Sequence, residues 1–487
     1  MKHRLTLSIT LFLSLLITYH YGNSQEIIAQ DDLSLEIEGK KGESILKYHT
    51  ESNTATLIII DSKKINVYDY NKNWELTNTV TKDKLDKSLS FVGATFFQTK
   101  PTLHFVNLKE RKVISYKINN EEIILTDVSF DLKKTAAIIS DNNKIIFLDI
   151  PKETSIINSY SFNYTGEYEK QTFDFNKVRF TDDNGEQSNL YKIIIEDSHT
   201  GNSTPGSYIS TVWSDEPQLF QRAGLVSKCY FDDGLITITL DQAFSATTVL
   251  TINLKDGSRG LRQILQPALE KCPTSGAKKS NSYLAEGNIF QISGCAKSLA
   301  ISIKNLERAQ EINQLTESSK KPISIQLSNP KYHFNEGGTL AYLDKEINEE
   351  ENLLKIMSLS NAEISTTSIA AIHDGKYWQL SIGSYTLVPH SAYAIIQAFV
   401  PGAVLILPKG YFPYSGKSKF IKTVLADETF EFVPDGEVKD DPYKSMTDFI
   451  HTLENKRPKL QSILSIENYK LLGYYEGDSY VIRKFEN

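Results

Sequence analysis

Cysteine is scarce in this sequence: Cys229, Cys272 and Cys295 are the three in 487 residues. That number excludes a scaffold built from disulfides, and the spacing offers no paired ligands for zinc. A charge excess of one sign is also missing. Fifty-three Lys and Arg stand against 60 Asp and Glu, a net charge of −7 spread along the chain. Sequence-independent nucleic-acid binding needs a concentrated basic face, so no nucleic-acid partner is expected. Beyond the N-terminal segment, no apolar run reaches the roughly 18 residues of a spanning helix.

Catalytic signatures are absent too. There is no G-x-S-x-G elbow and no H-E-x-x-H, and neither His373 nor His390 stands at metal-ligand spacing with another histidine. AVLILPKGYFPYSGKS resembles a phosphate loop, but five residues rather than four separate Gly410 from Gly416, and Pro413 removes an amide that phosphate would need. TDDNGEQSN, residues 181–189, lacks the alternating acids and distal glutamate of a calcium loop, and reads as a turn at Asn184-Gly185. No catalytic residue, cofactor or metal site is therefore assigned.

The first 24 residues form the clearest positive signal. Lys2 and Arg4 precede the apolar LTLSITLFLSLLITYHY, and Gly22 and Ser24 supply a small-residue exit before Gln25. This is the pattern of a secretory signal peptide, the alternative being an uncleaved anchor. Export predicts a periplasmic, cell-surface or secreted protein. In an oxidising compartment Cys272 and Cys295 are the favoured pair, against three reduced thiols.

The remaining chain repeats one pattern. TLIIIDSKKINVYDY, TLHFVNLKERKVISYKI, AAIISDNNKIIFLDI, YKIIIEDSHTGNSTPGSYISTVW, LITITLDQAFSATTVLTINL and IFQISGCAKSLAISIKNL each read as strand, polar turn, strand. The markers Ile58, Leu103, Ile138, Ile193, Ile236 and Ile289 are spaced by 45, 35, 55, 43 and 53 residues. That spacing suits four-stranded blades stacked round an axis, which bury faces that a lone sheet leaves wet. A β-sandwich is the competing reading. The expectation is a mostly β chain, a β-propeller of about seven four-stranded blades.

The segments TLIIIDSKKINVYDY and IFQISGCAKSLAISIKNL, together with the export signal, resemble the uncharacterised exported β-propeller-type proteins of bacteria. The resemblance spans roughly residues 40–330, is one of fold, and implies no activity.

After Pro330 the texture changes. The expected organisation is a signal peptide at 1–24, blades at 25–330, and final blades with helical and apolar insertions at 331–487 that close the same propeller. One amphipathic helix is expected from Leu343, Ile347, Leu354 and Met357, with Glu349, Glu350 and Glu351 as its solvated face. A second is expected after Asp441-Pro442, with Met446, Phe449, Ile450 and Leu453 on one side. VPHSAYAIIQAFVPGAVLILPKGYFPYSGKSKF reads as an inserted apolar hairpin. YKLLGYYEGDSYVIRKFEN reads as a closing strand pair whose partner comes from residues 26–48.

Function is less legible than fold. The leading expectation is a non-enzymatic propeller that binds or scaffolds a protein partner of the cell envelope or extracellular space. The alternative is a glycan-active hydrolase or lyase with carboxylates at the channel mouth. Candidate contacts are Trp213, Trp378, Tyr411, Phe412 and Tyr414, aromatic residues in or beside turn-rich stretches that could meet a protein or a glycan.

Overall fold

The computed structural model describes residues 25–33, 35, 42–61, 63–83, 89–107, 112–118, 123–129, 135–141, 143–182, 186–196, 209–213, 219–269, 272, 278–295, 297–318, 331–335, 342–346, 365–388, 415–433, 436–439, 443–453, 459–466 and 468–486. The chain divides into two compact units, Met1–Lys87 with Asp441–Asn487, and Ser88–Asp440. The signal-peptide segment, and with it Tyr411, Phe412 and Tyr414, lies outside the described residues.

In the first unit β1 (Gln25–Asp32) is followed by sheet I, built in order from β2 (Glu43–His49), β3 (Thr54–Ile60), β4 (Lys64–Tyr70) and β5 (Leu76–Asp83). The apolar run Leu57–Ile60 is buried, and so is the facing Ile65 and Val67 of β4.

Among its described residues the second unit holds five sheets of four or five strands and one two-stranded ladder. Sheet II is β6 (Leu89–Phe97), β7 (Lys100–Asn107), β8 (Lys112–Lys117) and β9 (Ile123–Ser129). Sheet III is β10 (Thr135–Ser140), β11 (Ile145–Asp149), β12 (Ile156–Phe162) and β13 (Tyr168–Asp174). The stretch AAIISDNNKIIFLDI is thus the hairpin of the first two strands of one sheet.

A short ladder follows, β14 (Phe180–Thr181) against β15 (Gln187–Ser188), so TDDNGEQSN lies between paired strands. Sheet IV is then β16 (Ser210–Val212), β17 (Ser227–Asp232), β18 (Leu235–Leu240), β19 (Ala246–Asn253) and β20 (Arg259–Leu265). Sheet V is β21 (Lys279–Ala285), β22 (Asn288–Cys295), β23 (Ser298–Asn305) and β24 (Glu311–Ser318). Sheet VI comprises β25 (Lys331–Asn335), β26 (Tyr342–Glu346), β27 (Ser365–His373), β28 (Tyr377–Val388) and β29 (Ser415–Ala426), in the order β26-β25-β29-β28-β27.

Back in the first unit, β30 (Lys459–Ile466), β31 (Tyr469–Glu476) and β32 (Ser479–Glu486) take β1 as a fourth strand, making sheet VII in the order β1-β32-β31-β30. The helix Lys444–Thr452 packs here through buried Met446, Phe449 and Ile450, the face that the sequence spacing sets, with Phe449 5.9 Å from Tyr474 and 5.7 Å from Phe485.

Among the described residues, seven successive sheets of four or five strands, antiparallel but for the β16–β17 pair, give the chain the repeat of a β-propeller, mostly β with few helices. Turn chemistry fixes the hairpins. Asp233-Gly234 has φ of 42° and 86°, and Glu286-Gly287 has 44° and 74°, so both two-residue links are left-handed at each position, the geometry that matches strand twist.

Polar residues inside the strands pair across them in rows. In sheet I, His49 Nε2 and Thr56 Oγ1 share a hydrogen bond of 3.1 Å, Thr56 Oγ1 donates to Asp69 Oδ1 at 3.0 Å, and Asn78 Nδ2 donates to Asp69 Oδ2 at 3.1 Å. In sheet II, His104 lies between Thr95 Oγ1 and Ser115 Oγ, 2.9 Å from each. In sheet III, Asn158 joins Asp149 and Thr172. Burial makes groups such as Thr56, His104 and Asn158 costly to leave unpaired, and the rows give them partners within one sheet.

Two sequence expectations are corrected. Ile193 does not begin a strand: Lys192–Glu196 is a short wide helical turn whose Ile193, Ile194 and Ile195 are buried in the core of sheets III and IV. A short apolar run looks alike in a strand and in a buried turn, and tertiary packing decides. Likewise Leu343 lies in β26, not in a helix that opens at that point, because Tyr342–Glu346 pairs with β25. The remainder of that expected helix lies outside the described residues, as does most of the apolar insertion. Gly416, Lys417 and Ser418 sit in β29, so the loop-like motif is strand.

The segment between sheets III and IV also covers strand edges. β16 pairs parallel with β17, Ile209 N donates to Ala136 O at 3.0 Å, and Thr211 Oγ1 donates to Ile138 O at 3.2 Å. The helix Leu219–Ala223 follows, and Ser368 Oγ and Thr366 Oγ1 of β27 donate to Phe220 O and Gly224 O, both at 2.7 Å. Hence β10 and β27, terminal strands of sheets III and VI, and β17, beside the short β16 in sheet IV, each meet this segment of the chain along one side.

Candidate interaction surface

Neither tryptophan proposed from the sequence is an open contact. Trp378 is 2% exposed. Its Nε1 donates to Asp427 Oδ1 at 3.1 Å, and its ring meets Phe290 at 5.3 Å and Phe430 at 5.5 Å. An aromatic ring with its nitrogen satisfied is a core group. Trp213 is half-buried against the core of sheets III and IV, edge-on to Phe231 at 6.5 Å. The two are not brought together.

Cys272 and Cys295 form a disulfide with Cα atoms 6.0 Å apart, tying the link between sheets IV and V to the end of β22. Cys229 is free and fully buried, and burial pushes its thiol far above the usual range.

The exposed rings are others. Phe97 (49% exposed) and Tyr164 (37%) stack at 4.6 Å with an interplanar angle of 22°. One comes from the β6–β7 turn of sheet II, the other from the β12–β13 turn of sheet III. Tyr168, 42% exposed, stacks on buried Phe162 at 5.4 Å and lies 6.0 Å from Tyr160. Lys170 holds its ammonium 5.4 Å from the Tyr160 ring. Register explains the grouping, because Phe162 faces Tyr168 and Tyr160 faces Lys170 across β12 and β13.

The turn is braced. Asn163 N donates to Glu167 O, Gly166 N to Asn163 O, and Thr165 N to Asn163 Oδ1 at 2.8 Å, while Thr102 Oγ1 of sheet II donates to Tyr164 O at 2.6 Å. The rings are held before any ligand arrives, which lowers the ordering cost of binding. Sequence inspection missed them because FFQTK and FNYTGEY look like ordinary strand ends. The usable signal was an aromatic residue placed directly against turn residues.

A second cluster joins sheets V and VI. His373 stacks on Trp378 at 4.8 Å, with Nδ1 3.4 Å from Glu286 Oε2 and Nε2 3.0 Å from Asp427 Oδ1. The two carboxylates meet opposite nitrogens and do not converge on one point. Among the described residues no three His, Cys, Asp or Glu side chains gather as a metal would require. Nearby, burial raises Asp374, but the Tyr377 N–H, the Lys439 ammonium and the Lys376 N–H outweigh it and hold the carboxyl down at about 2.

The most charged interior site is closed to solvent. Lys228, fully buried, donates to Asp241 Oδ2 at 2.8 Å, Leu225 O at 2.6 Å and Asn281 Oδ1 at 2.5 Å. Asp241 accepts from Thr247 Oγ1 at 2.7 Å and from Ser282 Oγ at 2.8 Å, and Gln266 links Thr247 onward. Burial lowers the Lys228 pKa, and Asp241 works against it. With all three Lys228 donors engaged and no solvent access, this network joins sheets IV and V.

No family model matches the chain, and no curated protein matches it. Among solved structures, the β-propeller domain of Nup133 from Vanderwaltozyma polyspora is 8% identical, covering 96% of this chain and 100% of that one at a TM-score of 0.35. The Dos1 propeller is 8% identical over 95% of each chain at 0.32. Kluyveromyces lactis Hsv2 is 9% identical over 72% of this chain and 95% of that chain at 0.24. At these scores the likeness adds nothing to the fold that the strand order gives, and it carries no function.

Proposed function

We propose that the chain is an exported, non-enzymatic β-propeller that binds a partner in the cell envelope or extracellular space. The observation that carries this reading is the preformed ring patch of Phe97, Tyr164 and Tyr168. The other exposed large apolar residues, such as Ile27 and Leu265, belong to other sheets. Exposed rings stacked across two braced turns bring no benefit for folding, since each would be more stable buried.

Export is supported by the N-terminal Lys2 and Arg4 with their apolar run, and by the Cys272–Cys295 disulfide, which belongs to an oxidising compartment. β1 begins at Gln25, so cleavage before that residue would leave the strand whole. Among the described residues no helix is long and apolar enough to cross a membrane.

The test is crosslinking of the tagged full-length chain in its native host, comparing wild type with the Phe97→Ala/Tyr164→Ala double variant. Loss of the crosslinked material with unchanged thermal unfolding is expected. An identical crosslinking pattern in the variant removes the reading.

A further inference from the structure

Resting on that reading, we propose that the ring patch recognises an acidic polysaccharide, with sugar rings lying on Tyr164, Phe97 and Tyr168 and their anionic groups meeting Lys100 and Lys170. The first argument is charge. Lys100 stands opposite Phe97 in the β6–β7 register, and Lys170 stands opposite Tyr160. Neither ammonium has an ion-pair partner among the described residues.

The acids of β13 turn away. Gln171 Nε2 donates to Glu169 Oε1 at 2.9 Å and to Leu254 O of sheet IV at 2.9 Å, so residues 169 and 171 face sheet IV while Tyr168 and Lys170 face sheet II. Glu167 stays over the turn, where Oε2 accepts from Thr165 Oγ1 at 3.0 Å. The rings are therefore flanked by two lysines, Lys100 and Lys170, against the one carboxylate of Glu167.

The second argument is size. A stable protein interface needs roughly 800 Å² per partner around a desolvated centre. Here Phe97 and Tyr164 come from two turns and Tyr168 from β13, whose other exposed members, Glu169, Lys170, Thr172 and Asp174, are polar. Such a patch suits a few sugar rings, whose C–H faces stack on aromatic carbon while hydroxyls keep their water or meet tyrosine oxygens.

The experiment is native gel electrophoresis of the full chain through gels containing polygalacturonate, with neutral dextran gels as reference. Wild type should be retarded by polygalacturonate alone, and retardation should fade as salt is raised. Phe97→Ala/Tyr164→Ala should weaken it roughly tenfold or more, and Lys100→Glu/Lys170→Glu should abolish it, both with unaltered thermal unfolding. Equal retardation in dextran, or retardation untouched by the variants, overturns the proposal. If polygalacturonate does not retard the wild type, yet the ring variant still loses its crosslinks in the host, the acidic-glycan assignment falls and the binding reading stands. If the ring variant keeps its crosslinks, the binding reading itself falls.

Discussion

The seam between sheets II and III and the seam between sheets IV and V solve the same problem with opposite chemistry. The first is dry and apolar: Val92, Val106 and Val113 meet Ile145, Phe147 and Phe162, all essentially inaccessible. The second holds an apolar group of Val249, Ile264, Leu284 and Ile289, but runs beside it a closed polar network of Lys228, Asp241, Asn281, Thr247 and Gln291. Dispersion is non-directional, so the first seam tolerates changes of shape. Hydrogen bonds are directional, so the second admits one register. The apolar seam also ends in the exposed rings, as though its packing continued past the point where partners were available.

The largest break in this contrast should come from Lys228→Ala. It leaves the Asp241 carboxylate buried without its counter-charge, a loss of about 3–5 kcal/mol by chemical denaturation. Pairing it with Asp241→Leu should not restore stability, because Thr247, Ser282 and Gln266 then lose their acceptor. Phe147→Leu in the dry seam should cost only about 1 kcal/mol, since volume is nearly kept.

A pH series sharpens the comparison next. His104, in the polar row beside the dry seam, is lowered by burial to about 3, against 6.5 in the unfolded chain. The unfolded state thus binds the extra proton first. The stability that neutral His104 provides is complete above pH 6.5 and is lost as pH falls toward 3. His104→Gln, which can still bridge Thr95 and Ser115, should flatten melting temperature across that window. An equally steep acid decline in the variant would assign the slope to other groups. The smallest stability effect belongs to Phe97→Ala/Tyr164→Ala, expected within about 0.5 kcal/mol per exposed site.

The repeat was readable because it is written in strand period and turn chemistry. Ile58, Leu103 and Ile289 fall on the second strands of sheets I, II and V, and Ile236 on the third of sheet IV, where the short parallel β16 precedes the antiparallel four. Ile138 falls on the first strand of sheet III, and Ile193 on the helical turn, because the segment between β13 and β17 interrupts the repeat with apolar residues that imitate a strand. The polar rows left no local trace. Thr56 and Asp69, or His104 and Ser115, become neighbours only through register, which no window of sequence contains. The patch was hidden for the same reason: its two turns lie on different sheets.

The pairing of β1 with β32 has a kinetic consequence. Ser479 Oγ reaches Asp32 Oδ1 across 447 residues of chain. A polypeptide that emerges N-terminus first presents β1 as an unpaired edge until its final strand has followed. Sheet VII is then the last to assemble, and its high contact order sets the pace of maturation. Losing only residues 479–487 would strip β1 of its neighbour, so a truncation that leaves six sheets untouched would still release an adhesive strand.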